Sequence, residues 1–493
     1  MARLFSVEPK NNEILHSQVL QHKTQTTLFT KFIIKTIPMN LPTFQLFNSS
    51  TLKLWVLLLT FQLCNPATLQ LSAQSSDINN ILPEKDRAAV SNEILEWRLD
   101  NIIPMLMDRE DIDLWLIMCR ETNEDPVYWT LYPEPNMHAR RTSMILFYKP
   151  GEGEEIQRLC FGGGGGLYKN IWTDKSIPQF EFLASWIKKN DPKKIGINIS
   201  ETHRSADGLA ASLHQKLTKY LSDKYTERLV SAENLCIGWL ETRSPRELSL
   251  YRYVCGIQHD LISEFYSNNV IIPDVTTVDD VMWWIRDRIT GLGLDAWFPP
   301  YVNIIRHPDL EKKYADNPRV IRRGDLLHCD VGYRYLRICT DMQWHAYVCH
   351  IGEDDAPEGL KKALGNAVKM AEIFMDEFKE GQTGNQIAEN ATRKIKAAGL
   401  RPTIYSHPIG YWGHNAGCSI DTRPATGQPP GFRQVMEYPL YPNTVYAIEF
   451  SCTTSIPEWK GKDVAISYEE QGVFTDKGCN WVDGNQLEFF LIK

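Results

Sequence analysis

Apolar and polar positions along this chain repeat with two different periods. IDLWLIMC (112–119), SMILFYK (143–149) and KIGINIS (194–200) are short, apolar, β-rich runs, and each predicts a strand. Residues 86–107 and 205–222 carry helical patterns, so this first part reads as mixed α/β. Near 238–246 the stretch ETRSPRELSLYRYV opens a new helix. Ser244 is its N-cap, and Glu247 three residues later completes a capping box. In 358–379, Leu360, Ala363, Leu364, Ala367, Ala371, Phe374 and Phe378 recur at helical spacing and form one apolar face, read as core packing. Thr383 starts a further helix that runs to about Ala398. The expected organisation is a first domain over 81–238 and a second over 239–493, with no internal repeat.

Several apolar strands in the second part are interrupted by charge. DLLHCDVGYRYLRICTDMQWHAYV (325–348) reads as two strands with a short connection. Alternation puts His328 and Asp330 on one face of the first strand, and Cys339, Asp341, Gln343, His345 and Tyr347 on one face of the second. A buried carboxylate is costly unless it is paired or bound to metal. YSHPIGYWGHNAG (405–417) sets His407 and His414 seven residues apart among glycines and aromatic rings. In VYAIEFSC (445–452), Glu449 shares a face with Val445, Ala447 and Ser451. In VAISYEEQGVFTDKG (464–478), alternation does not separate Glu469 from Glu470, and Glu488 further on is another acid at this end of the chain. Such an oxygen-rich set with one imidazole suits manganese, cobalt, iron or zinc.

Composition narrows the field. The 493 residues are 43% hydrophobic and 23% charged, which suits a globular chain of two or three domains. A net charge of -8 leaves no basic footprint for nucleic acid. The 11 cysteines include no C-x-x-C pair, which argues against a zinc ribbon or a thioredoxin-type motif. Gly162–Gly166 is not followed by Gly-Lys-Ser/Thr and reads as a turn, not a phosphate loop. LKLWVLLLTFQLC (52–64) is shorter than the roughly 20 residues that span a bilayer, so no stable membrane anchor is expected. It suits the core of a secretory signal, with Lys53 before it and cleavage after Ala73, which predicts export. The usual length of such signals favours Met39 as the start, with 1–38 as upstream sequence.

Asp330, Asp341, His407, Glu449 and a closing glutamate, in that order, resemble the pita-bread metallopeptidases, the family of methionine aminopeptidase, aminopeptidase P and prolidase. The likeness is strongest over 240–478. Asp330 and Asp341 match the family's aspartate pair, SHPIG its metal-histidine segment, and YAIEF the strand of its fourth ligand. In YEEQGVFTDKG the spacing to Gly478 selects Glu469. Residues 81–238 resemble, more loosely, the N-terminal domain of the aminopeptidase P, prolidase and creatinase branch. The implied fold is thus α/β (α+β), with a creatinase/prolidase-like domain before a pita-bread catalytic domain.

The resemblance implies two divalent metal ions, with manganese expected and cobalt, zinc or iron as alternatives. Asp330 would chelate one ion and His407 with Glu449 the other, while Asp341 and Glu469 would bridge. A metal-bridging hydroxide would attack the peptide, Glu449 would move protons, and His414 would face the scissile carbonyl. His307 is the candidate for a second substrate histidine upstream of Asp330. The implied activity is hydrolysis of the N-terminal Xaa-Pro bond of a proline-containing peptide. The alternatives are a prolidase on Xaa-Pro dipeptides, a non-peptide hydrolase or lyase, or a non-catalytic binding protein. Dimers are frequent in the family. Three departures bear on the substrate: Ser467 replaces a frequent arginine, Pro408 a frequent glycine, and Gln343 a frequent hydroxyl residue.

Overall fold

The computed structural model describes residues 77–493 apart from 137, 152, 163–165, 415 and 425–432. The 52–64 segment, the cleavage position and most of the Gly162–Gly166 run lie outside the described residues.

The first sheet has six strands: β1 (Leu114–Arg120), β2 (Thr142–Tyr148), β3 (Gln157–Phe161), β4 (Lys169–Asn170), β5 (Ile195–Ile197) and β6 (Leu229–Ser231), in the order β4-β3-β2-β1-β5-β6. The three predicted strands form its centre. β3, β4 and β6 were not predicted, because they are short and partly exposed at one end. The predicted helix 86–107 is Glu84–Arg109. The predicted helix 205–222 is split into a 3-10 turn, Arg204–Ala206, and a helix, Ala211–Tyr220. The break falls at Gly208, which packs so tightly on the Asp125 carboxylate that a Cβ there would lie 2.1 Å from Oδ2.

The second sheet follows the helix Pro245–Phe265, whose N-terminus is closed by the expected capping box: Glu247 N donates to Ser244 Oγ at 3.1 Å, and Ser244 N donates to Glu247 Oε2 at 2.8 Å. Its strands include β7 (Tyr301–Ile305), β8 (Leu326–Val331), β11 (Met342–Val348), β12 (Pro402–Pro408), β13 (Ile420–Asp421), β14 (Thr444–Ile456) and β15 (Lys462–Thr475), in the order β13-β12-β14-β15-β11-β8-β7. β16 (Gly478–Trp481) and β17 (Phe490–Ile492) pair with β15 and β11. A small hairpin, β9 (Arg334–Tyr335) and β10 (Ile338–Cys339), forms the connection between β8 and β11.

Two helices behind this sheet match their predicted starts. Glu358–Met375 ends four residues before 379, and its apolar face is buried, including Leu360, Ala363, Leu364, Ala367, Ala371 and Phe374. Gly384–Ala397 is capped by Thr383 with Gln386 in a second capping box. The described cysteines are all unbridged, Cys329, Cys339 and Cys349 among them. No helix among the described residues is long and apolar enough to cross a membrane.

Candidate metal centre

Strand register assembles the site. Asp330 on β8 pairs with Gln343 on β11, Gln343 pairs with Glu469 on β15, and Glu469 pairs with Glu449 on β14. Directly opposed residues point to the same face of a sheet, so these four side chains form one row across four strands. β11 meets β15 only through the Gln343–Glu469 pair, so the sheet parts on either side of the row. Asp341 lies two residues before Gln343, on the same face. His407 on β12 pairs with Ala447, two residues from Glu449. Glu470 takes the opposite face, where it accepts from Trp344 Nε1 and contacts His259 Nε2, each at 3.0 Å.

The predicted ligands converge. Asp330, Asp341 and Glu469 form one group of potential ligand atoms within 4.8 Å of one another, and His407, Glu449 and Glu469 form another. His407 Nε2 lies 3.6 Å from Asp341 Oδ2 and 3.9 Å from Glu449 Oε2. His414 joins them: it makes a third group with Asp341 and His407, and its ring centre is 4.3 Å from that of His407. The turn bearing His414 requires Gly413. Its φ is +80°, and a Cβ would lie 2.4 Å from the Trp297 ring, which stands edge-on to His414 at 5.1 Å.

His307 does not join the group. Tyr301 is the β7 residue opposite Asp330, whereas His307 lies past the other end of β7, where Ile305 pairs with Leu326. His307 caps the helix Pro308–Lys313, with Nδ1 accepting from Asp309 N at 3.1 Å, and its ring is 6.2 Å from that of Trp459. The HPD sequence is a helix start, which explains the histidine without a substrate.

Sequence reasoning places Gln343 on the Asp341 face and assigns it no role there, yet it is the hub of the row. Its Nε2 donates to Glu449 Oε1 and Glu469 Oε2, each at 2.8 Å. Its Oε1 must therefore accept, and His328 Nε2 is 2.8 Å away. Burial lowers His328 to about 4, so the ring is neutral with its proton on Nε2. Its Nδ1 lies 2.9 Å from Asn303 Oδ1. A chain of donors thus runs from His328 through Gln343 to two carboxylates. The position of His328 on the Asp330 face was the available signal.

Electrostatics set this cluster apart from an ordinary polar core. Burial pushes Asp330 up to about 7. Burial, and then the Asp330 charge, raises Glu449 to about 8. Burial and the neighbouring carboxylates also raise Asp341 and Glu469. Burial first, with His414 next, holds His407 well below the usual imidazole range. Burial first, with Arg204 and Arg423 next, lowers His414 to about 4. Four carboxylates this close destabilise one another, with Arg423 offsetting only part of that at Glu449, and a divalent cation reverses it. Asp330 Oδ1, Glu469 Oε1 and His407 Nε2 are buried without a protein hydrogen-bond partner. Oxygen donors around one neutral imidazole, with lone pairs left over, fit divalent metal ions.

The profile of metallopeptidase family M24 matches residues 249–476, which contain every member of this cluster. Over 188 residues the chain is 27% identical to a methionine aminopeptidase of Thermococcus onnurineus, a match that spans 37% of this chain and 58% of that protein. Among solved structures, the X-Pro aminopeptidase of Thermotoga maritima has the same fold, with a TM-score of 0.55 and 17% identity, over 78% of this chain and 99% of that one. The Xaa-Pro dipeptidase of Bacillus anthracis has it too, with a TM-score of 0.54 and 14% identity, over 80% and 99%. With Asp330 and both glutamates in one buried row, and Asp341 and His407 beside it, residues 249–476 carry the pattern of metallopeptidase family M24, and the chain has the pita-bread fold.

Proposed function

We propose that this chain is a dinuclear-metal exopeptidase that hydrolyses the N-terminal Xaa-Pro bond of peptides, with manganese as the expected ion. The carrying observation is the convergence of Asp330, Asp341, His407, Glu449 and Glu469, with unpartnered ligand atoms turned inward. In this reading Asp330 would hold one ion, His407 with Glu449 the other, and Asp341 and Glu469 would serve both. The ions supply Lewis-acid chemistry, polarising the carbonyl and acidifying water. Glu449 accepts a proton from the attacking water and delivers it to the leaving nitrogen. His414, neutral and braced by Trp297, donates a hydrogen bond to the oxygen on which charge develops. The preference for proline is supported by the fold shared with the X-Pro aminopeptidase and the Xaa-Pro dipeptidase.

The test is metal analysis of the purified chain, followed by assay on Xaa-Pro-Xaa tripeptides and Xaa-Pro dipeptides. Bound metal with tripeptide cleavage is expected. Cleavage of dipeptides alone makes the protein a prolidase, and tight metal binding without peptide cleavage moves the substrate outside peptides. Failure to bind metal under any loading condition removes the enzymatic reading. Export belongs to the same proposal, and an exported form beginning at Gln74 is its expected sign.

A further inference from the structure

A second polar cluster lies apart from the metal centre, in a small cavity of about 30 Å³. The helices Glu84–Arg109 and Glu233–Glu241 and the β9–β10 turn contribute to its wall. Arg98, Arg243, Glu247 and Arg337 face it, among apolar groups that include Trp239 and Leu336.

Its hydrogen bonds leave donors over. Arg98 donates to Glu247 Oε2 at 2.8 Å and to the carbonyls of Thr242 and Trp239. Arg243, only 4% exposed, gives Nη1 to Glu247 Oε1 at 3.1 Å and Nη2 to the Ile409 carbonyl, while its Nε has no protein partner. Arg337 gives Nη2 to the Tyr132 carbonyl at 2.8 Å and to Glu134 Oε1 at 3.0 Å, while Nε and Nη1 are buried and unpartnered. Glu247 already accepts from Arg98, from Arg243 and from the Ser244 N–H.

The charges leave the same remainder. Arg98, Arg243 and Arg337 face Glu247 and Glu134, an excess of one positive charge. Guanidinium N–H groups with no acceptor, in a partly apolar recess, are the surroundings in which a weakly hydrated anion gains most from leaving water.

We propose that this cavity is a binding site for a small monovalent anion of halide size, held by Arg243 and Arg337. Such an anion fastens two segments that lead to the metal centre. Arg337 lies in the turn between Asp330 and Asp341, where it and Leu336 both have left-handed backbones, with φ of 62° and 52°. Arg243 holds the Ile409 carbonyl at the start of the segment that carries His414.

The test uses the purified full chain and does not depend on its activity. Melting is followed as chloride or bromide replaces gluconate at constant ionic strength. A halide-specific rise of ~2 °C is expected, and most of it is lost in Arg337→Gln. No halide-specific rise, or one that Arg337→Gln retains in full, overturns the proposal. Crystals grown in bromide give a reading that needs no variant. An anomalous peak between Arg243 and Arg337 supports the site, and bromide found only on the outer surface, an adventitious ion only, overturns it.

Discussion

Gln343 stands directly opposite Glu469 across β11 and β15, and its side-chain amide donates to that glutamate and to Glu449, at 2.8 Å each. One neutral group thereby fixes the spacing of two acids that would otherwise repel. Gln343→Leu keeps nearly the same volume and removes those hydrogen bonds. Divalent-metal affinity should fall by roughly 10–100-fold, the usual cost of losing a partner behind a metal ligand. Chelator competition measures this, and an unchanged affinity would show that the amide only fills space.

Asp341 sits among three other carboxylates, and burial together with their charges raises its pKa. Asp341→Asn should therefore abolish metal-dependent turnover while stabilising the metal-free protein, by about 1–2 kcal/mol. Melting with chelator and with added metal separates the two effects. The variant should melt higher than wild type in chelator and gain little from metal. Unchanged turnover would refute the assignment of this site.

Metal uptake should release protons. Without metal, Glu449, at about 8, is largely protonated at neutral pH and Asp330, at about 7, partly so, and ligation requires their ionised forms. Affinity should accordingly rise as pH increases through 7 to 8. Proton release on metal addition, followed in weakly buffered solution at pH 7, checks this, and release of no protons would contradict it.

Glu247 is buried between Arg98 and Arg243. Burial opposes its charge, but the two guanidinium groups outweigh it and hold the carboxyl at about 2. A depressed carboxylate stabilises the fold above its unfolded pKa, and that contribution is lost as pH falls through the folded one. Here it amounts to about 3 kcal/mol at neutral pH. Glu247→Gln should be less stable than wild type by that order at pH 7. The gap should close between roughly pH 4.5 and 2 in denaturant titrations.

His307 caps a helix well away from the row. His307→Ala should leave kcat/KM unchanged and lower stability by about 0.5–1 kcal/mol, the usual loss of a cap. A fall in kcat/KM of tenfold or more would return it to the active site.

The central strands, the capping box at Ser244, the helix start at Thr383 and the converging acids were legible in the sequence, because each rests on local period or local chemistry. Alternation alone could not choose between Glu469 and Glu470, since choosing requires knowing which face of β15 looks into the site; spacing to Gly478 did so by resemblance. His307 attracted attention because sequence distance says nothing about which end of β7 approaches Asp330. Gln343 could be placed on the Asp341 face but given no role, because that role depends on two strands more than 100 residues away.

The adjacent glutamates on β15 act as a parity check on the chain. Glu469 faces the metal centre, and Glu470 faces His259 and Trp344 on the other side. Inserting or deleting one residue between the β14–β15 turn and this pair would exchange their faces without altering composition or charge. The result would still carry an acid toward the site, but neither buried partner set would be matched to its own glutamate. Evolution can therefore vary the side chains along this strand far more freely than it can vary its count, and length changes in this part of the chain should be confined to its turns.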